Sequence, residues 1–301
     1  MPLIGFLSTR SSAESQPLVA GFHAGLGEVG FAEGRNVAVE YRWANAQFER
    51  LPALAAELVA TRVAVIATVG GPLSALSAKA ATTAIPIVFA LGVDPVKLGL
   101  VASLSQPGGN ITGIAQLGAT LSGKRLQLLR ELVPQAKVIA VIVNPRTPDA
   151  QTQTKDVQQA AAAIGQQIIF INASTAAEID AAFSSLGPKG ARALMVTNDP
   201  LFNGLREQFA SLAARHKVPA IYGWRDQVEA GGLMSYGTAS LAASYAQVGN
   251  YVGRILKGAK AAELPVVQPT KFDLVVNAKT AKALGIAIPE SILLLADHVI
   301  E

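Results

Sequence analysis

A chain of 301 residues, half of them hydrophobic, is long enough for about two domains and too apolar for intrinsic disorder. It contains no cysteine, which excludes disulfides, thiolate chemistry and cysteine-ligated metals. The net charge of +4 is scattered as single or paired basic residues such as Lys124-Arg125, with no basic stripe interleaved with aromatics, so nucleic acid is not an expected partner.

Residues 3–7 read as a short buried strand that ends in the polar loop Ser8-Thr9-Arg10-Ser11-Ser12. Met1-Pro2 runs straight into that strand with no signal-peptide pattern before it, so the expectation is a cytoplasmic protein or a chain without its export signal. Leu18, Phe22, Leu26 and Val29 recur at helical spacing, with Gly30 as a stop. Residues 37–43 alternate as a strand does, and Leu51, Leu54, Ala55, Leu58 and Val59 form the next helical stripe. The run 63–69 reads as a strand buried on both faces. Gly70 and Gly71 break it, and Pro72 opens a helix whose apolar residues are Leu73, Leu76 and Ala80. Residues 85–90 are a further strand, ending in Leu91-Gly92-Val93-Asp94-Pro95. Alternating strands and helices predict βαβ units and a parallel sheet.

The pattern changes after the turn-rich Ser105-Gln106-Pro107-Gly108-Gly109-Asn110. Residues 111–116 read as a strand leaving the first sheet, and 121–133 as a helix stopped by Pro134. A second α/β series begins at Val138. Its strands are expected at 138–143, 167–171, 193–197, 219–222 and 233–236, and its helices at 149–164, 177–186, 205–216 and 241–256. The longest weakly charged stretch, 98–123, holds Pro107 and paired glycines and cannot span a bilayer as an unbroken helix.

The chain is therefore α/β, with two lobes that show no repeat in sequence. Ligands of open α/β sheets sit beyond the carboxyl ends of the strands. Those ends carry Ser8, Thr9, Arg10, Thr68, Gly70, Gly71 and Asp94 in the first lobe, and Asn144, Asn198, Asp199, Tyr222 and Trp224 in the second. Short polar groups, a few aromatics and helix N-termini suit a small-molecule cleft.

At this point the chain resembles the periplasmic substrate-binding proteins of ABC importers, in the family that includes tryptophan- and tyrosine-type binding proteins. The segments that carry the resemblance are Gly34-Arg35-Asn36-Val37 with Glu40-Tyr41-Arg42-Trp43, Leu51-Pro52-Ala53-Leu54-Ala55, Asp94-Pro95-Val96, Gln106-Pro107-Gly108-Gly109-Asn110-Ile111-Thr112-Gly113, Glu131-Leu132-Val133-Pro134, Val143-Asn144-Pro145, 229–237 and 264–272. It implies a two-lobe, periplasmic-binding-protein-like fold of type I, with parallel sheets flanked by helices and three interlobe crossings near 116–120, 236–241 and 265–272. The expected N-terminal lobe is 1–116 with 241–264, and the C-terminal lobe 117–240 with 265–301. Gly118, Gly237 and Pro269 fall at or near the crossings. The resemblance also implies a periplasmic monomer working with an ABC permease and ATPase. It does not name the cargo.

Gly70, Gly71 and Ser74 are the preferred carboxylate site, since free N–H groups at a helix start and a hydroxyl bind an anion without a charged side chain. The alternative is a plain helix start with Ser74 in solvent. Replacing Gly71 with Val tests this, provided Gly71 does not adopt a positive φ. Asp94 suits a ligand ammonium or an N-cap before Pro95. Asp199 divides the same way, and Asn198 lies beside it. Asn144-Pro145 is a turn with one residue lining the cleft. Tyr222 and Trp224 suit a ring or an ammonium over a π face, or simply lobe packing. Tyr236 is hinge or pocket, and Arg10 is an anion partner or a surface arginine.

His23, His216 and His298 lack metal-ligand spacing, and no nucleophile elbow, P-loop or dinucleotide fingerprint follows a strand, so neither metal nor cofactor is expected. Gly21, Gly25, Gly27 and Gly30 lie in or at the end of a helix pattern. A solute receptor closing its lobes on a small molecule is the leading reading. A ligand-sensing regulator would need a DNA-binding headpiece, and a cleft enzyme would need a nucleophile–base pair. The expected ligand is an amino acid or related carboxylate, aromatic preferred, with a branched-chain amino acid, an aromatic acid and a small sugar left open.

Overall fold

The computed structural model describes residues 1–116, 121–238, 240–269 and 271–301. The chain forms two compact units, Met1–Leu117 with Leu241–Pro269, and Gly118–Ser240 with Thr270–Glu301. Of the expected crossings, residues 117–120 (with Gly118), 239 and 270 lie outside the described residues.

The first unit holds five parallel strands, β1 (Leu3–Ser8), β2 (Ala38–Trp43), β3 (Val65–Val69), β4 (Ile87–Leu91) and β5 (Ile111–Ala115), in the order β2-β1-β3-β4-β5. The central strands are apolar runs buried on both faces, while the edge strand β2 is half-buried along its length. Residues 111–115 do not leave this sheet, contrary to the sequence reading. They pair in parallel register with β4, from Ile87↔Ile111 to Leu91↔Ala115. The unit also reaches past residue 264. Val267 N–H donates to Gly113 O at 3.0 Å and Val267 O accepts from Ala115 N–H at 2.9 Å.

Helices α1 (Ser12–Glu28), α2 (Leu51–Ala60) and α3 (Pro72–Ala81) connect these strands, and α10 (Leu241–Leu256) returns from the second unit. A capping box starts α1, with Ser11 N–H 2.5 Å from Glu14 Oε1 and Glu14 N–H 3.4 Å from Ser11 Oγ. α10 packs along α1 and over β3, β4 and β5. Small residues bring the two helices together. A Cβ on Gly25 would stand 1.8 Å from Ala246 O, and one on Gly249 2.1 Å from Phe22 O.

The second unit holds seven strands: β6 (Val138–Val143), β7 (Gln167–Asn172), β8 (Ala193–Val196), β9 (Ala220–Tyr222), β10 (Met234–Thr238), β11 (Phe272–Asn277) and β12 (His298–Ile300). Their order is β12-β11-β10-β9-β8-β6-β7. All neighbours are parallel except β10 and β11, which pair antiparallel from Met234↔Val276 to Thr238↔Phe272. Its helices are α4 (Ser122–Leu132), α5 (Ala150–Ala163), α6 (Ala176–Leu186), α7 (Pro200–Gly204), α8 (Arg206–His216), α9 (Arg225–Glu229), α11 (Ala278–Ala283) and α12 (Glu290–Leu295). One core layer packs Leu126, Leu129, Val141, Met195 and Val276, and the other Ile142, Phe183, Leu194, Phe209 and Tyr222. None of the helices among the described residues is long and apolar enough to cross a membrane.

Both sheets share one strand order. In the first it is β2-β1-β3-β4-β5, and in the second β7-β6-β8-β9-β10 repeats it. Connections leave β1 and β3 to opposite sides, as they do β6 and β8. Each pair opens a crevice at its carboxyl ends.

The helix contact predicts opposite outcomes for two glycines of α1. Gly25→Val should destabilise the protein by about 3 kcal/mol, because backbone fills the space its side chain needs. Gly27 has nothing within 4 Å of its would-be Cβ, so Gly27→Ala should stabilise by about 0.5–1 kcal/mol. Chemical denaturation of both variants reads the two signs.

Candidate functional site

In the first unit the crevice between β1 and β3 is bordered by Ser8-Thr9-Arg10 and by Gly70-Gly71. Gly70 and Gly71 have φ of +78° and +110°, values that a side chain makes costly, so the turn into α3 depends on them. A Cβ on Gly70 would lie 2.5 Å from Thr9 Oγ1, and the Thr9 hydroxyl donates to Gly70 O. The two loops therefore lock together. Gly71 is the N-cap of α3 with Pro72 behind it, leaving the first N–H groups of that helix at the crevice. The condition attached to Gly71→Val is not met, since Val at φ +110° would strain the turn as well as block it.

Ser74 is fully buried, neither solvated nor free to donate outward. Its hydroxyl points at Val69 O and Gly71 O, each at 2.9 Å. Asp94 takes the capping alternative, with Oδ1 accepting from Val96 N–H at 2.9 Å and Lys97 N–H at 3.3 Å. Ser8 is buried, and its Oγ accepts from Arg10 N–H at 3.1 Å. Thr68 is buried with its hydroxyl unpartnered. Arg10 is not a surface arginine: it is 5% exposed and its Nε has no hydrogen-bond partner.

In the second unit the crevice between β6 and β8 brings Asn144, Asn198 and Asp199 together. Asp199 caps α7, with Oδ1 accepting from Leu201 N–H at 2.8 Å and Phe202 N–H at 3.3 Å. Its Oδ2 accepts from Asn144 Nδ2 at 3.1 Å. Gln153 Nε2 donates to Asp149 Oδ2 at 2.5 Å and to Asn198 O at 3.1 Å. Asn198 is buried and its Oδ1 is left without a partner. Burial pushes the Asp199 carboxyl up to about 6, against the helix N–H groups that hold it down, and the nearby Asp149 charge adds to the rise. Burial also raises Asp149. The cluster is rich in acceptors and suits a cation.

The aromatic residues divide. Tyr222 is wholly buried against Phe209, at 6.5 Å between ring centres, so it packs the core and offers no ring to a ligand. Trp224 is 6% exposed at the start of α9, just past β9. Tyr236 is half-buried, 6.3 Å from the Phe272 ring, and its carbonyl accepts from Arg125 Nε at 2.7 Å.

Sequence reasoning passed over Asp149, Gln153, Arg125 and Tyr245 as site residues. Arg125 is 1% exposed on the first turn of α4, and burial lowers it to about 9. A Cβ on Gly237 would stand 3.5 Å from its Nη2. In the sequence Arg125 appears only as half of the basic pair Lys124-Arg125, which carries no sign of its burial. The first unit also has a groove of about 450 Å³ lined by Ser12, Gln16, Val19, Ala20, His23, Glu33, Tyr41 and Trp43, none of them an expected site residue.

Residues 7–300 match the family model described as ABC transporter substrate binding protein. The chain is 29% identical over 264 residues to a tyrosine-binding protein of Clostridioides difficile strain R20291, covering 88% of this chain and 75% of that one. It is similar in structure to a conserved domain protein of Vibrio cholerae, at 27% identity, 99% coverage of both chains and a TM-score of 0.90. A Streptococcus pneumonia ABC domain in complex with L-Trp gives 25% identity, 99% coverage of both chains and a TM-score of 0.88.

Because the folded protein raises Asp199 above its ordinary value, the linked stability is present at low pH and lost as pH climbs through about 6. Stability of the protein relative to Asp199→Asn should fall by about 2 kcal/mol between pH 4 and pH 7, measured by urea unfolding at each pH. A flat difference would show that Asp199 ionises without penalty.

Proposed function

The chain belongs to the ABC transporter substrate-binding protein family, and from that premise we propose that it captures an aromatic amino acid for import. One observation carries this reading: each unit has a polar crevice at its topological switch point, and the two have opposite hydrogen-bonding character. The first offers donors, at the start of α3 around Gly70 and Gly71. The second offers acceptors, at Asn198 and Asp199 with Asn144 holding Asp199 in place. A zwitterion has one group for each, the carboxylate for the donors and the ammonium for the acceptors. Trp224, just past the end of β9, would meet the side-chain ring.

The tyrosine-binding relative and the neighbour solved with L-Trp support the aromatic preference. The receptor would work outside the cytoplasm, in the periplasm of a two-membrane cell, as a monomer delivering ligand to a permease coupled to an ATPase. Transport asks only that the ligand favour one conformation of the receptor over another, with no bond made or broken.

A thermal-shift screen of L-tryptophan, L-tyrosine, L-leucine, benzoate and glucose tests the assignment. An aromatic amino acid at about 100 times its dissociation constant should stabilise the protein by about 2.7 kcal/mol, and glucose should do nothing. A response to glucose alone would overturn the amino-acid reading. With ligand saturating, the radius of gyration from small-angle scattering should fall while circular dichroism stays constant, and superimposable scattering curves would refute ligand-driven closing.

A further inference from the structure

Arg10 is a buried cation of the first unit with an unpartnered donor. It follows β1 directly, and its backbone is pinned on both sides. Ser8 Oγ accepts its N–H at 3.1 Å, and its carbonyl accepts from Asn45 N–H at 3.3 Å. Its side chain is buried with Nε unpartnered. Among the described residues the ion pairs of this unit are His23–Glu33, Arg42 with Glu40 and Glu57, and Lys260–Glu263, and Arg10 makes none. Glu14 spends a carboxylate oxygen on the Ser11 N–H instead.

Arg10 lies close to Tyr245 on α10, a buried phenol that burial raises and Arg10 draws back down. Thr68 adds a second buried hydroxyl with no partner, on the strand that runs into Gly70. A guanidinium held out of water with a free donor is strongly disfavoured unless an anion completes it. Its planar fork fits a carboxylate better than a neutral oxygen.

We propose that Arg10 receives the carboxylate of the ligand and so makes a free carboxylate obligatory for binding. This rests on the amino-acid reading above and sharpens it. The helix start at Gly71 supplies hydrogen bonds that any oxygen could accept, whereas Arg10 supplies a charge that only an acid satisfies. Esters, amides and decarboxylated amines of the same ring would be rejected. Tyr245 is a positioning residue for Arg10.

A cycle of ligand and side-chain changes tests the proposal by calorimetry. The protein and Arg10→Met are each titrated with L-tryptophan and with L-tryptophan amide, after thermal unfolding confirms that the variant folds. The unaltered protein should bind the acid at least about 100-fold more tightly than the amide. Arg10→Met should bind both alike, near the affinity of the unaltered protein for the amide. Arg10→Lys should recover part of the preference, since it keeps the charge and loses the fork. Equal weakening of acid and amide in Arg10→Met would make Arg10 merely structural, and unchanged acid affinity would remove it from the site. If the unaltered protein binds neither compound, the aromatic reading fails first. Arg10 is then judged by thermal shift with benzoate and acetate: stabilisation that disappears in Arg10→Met upholds it, and none in the unaltered protein overturns it.

Discussion

The contact of α1 with α10 is the constraint on which the first unit rests. It is made backbone to backbone, since Gly25 meets Ala246 O and Gly249 meets Phe22 O where no side chain could fit. Close approach lets α10 lie over β3, β4 and β5 and cover the sheet. It also places the first turn of α10 at the carboxyl edge of that sheet. Ser244 meets the Gln116 side chain there, and Tyr245 meets Arg10. The polar edge of the first unit is therefore assembled by a helix that arrives from more than a hundred residues downstream.

Much of the fold was legible in the sequence because its signals are local. Buried parallel strands show as apolar runs, and Gly70-Gly71-Pro72 announces the turn into α3. What local signals did not carry was pairing. Residues 111–115 form a good strand by composition, yet only partners decide that it closes the first sheet beside β4. The antiparallel β11 and the elements after it lie past the last alternation that the pattern recognised. At five residues, α9 is too short to show a helical period at all. The shared strand order was invisible for the same reason, because order is a property of hydrogen bonds between segments.

The candidate site was legible at the level of loops and less so at the level of side chains. Asn144, Asn198 and Asp199 were marked by ending strands, and they do meet at one crevice. Asp94 is marked by the same rule and Ser74 as a hydroxyl at a helix start, yet both spend hydrogen-bonding capacity on their own turns. Short polar residues after a strand serve the backbone as readily as a ligand, and sequence does not separate the two uses. Tyr222 was marked as aromatic at a strand end, where one residue of register turns a ring from edge to core. Arg10 had been read as either anion partner or surface charge, and burial separates those alternatives.

The late arrival of α10 also bears on how the chain is made. A ribosome that has released Ala115 has supplied every strand of the first sheet, but the helix that covers three of them ends at Leu256. At the usual 5–20 residues per second, the interval is on the order of ten seconds. For that time the glycine-lined face of α1 and one face of the sheet have no cover, while the bulk of the second unit emerges and folds. The first unit is thus completed only after most of the second has been synthesised. A nascent chain of this design needs its apolar faces shielded by something other than itself, a task for a holding chaperone rather than for faster folding.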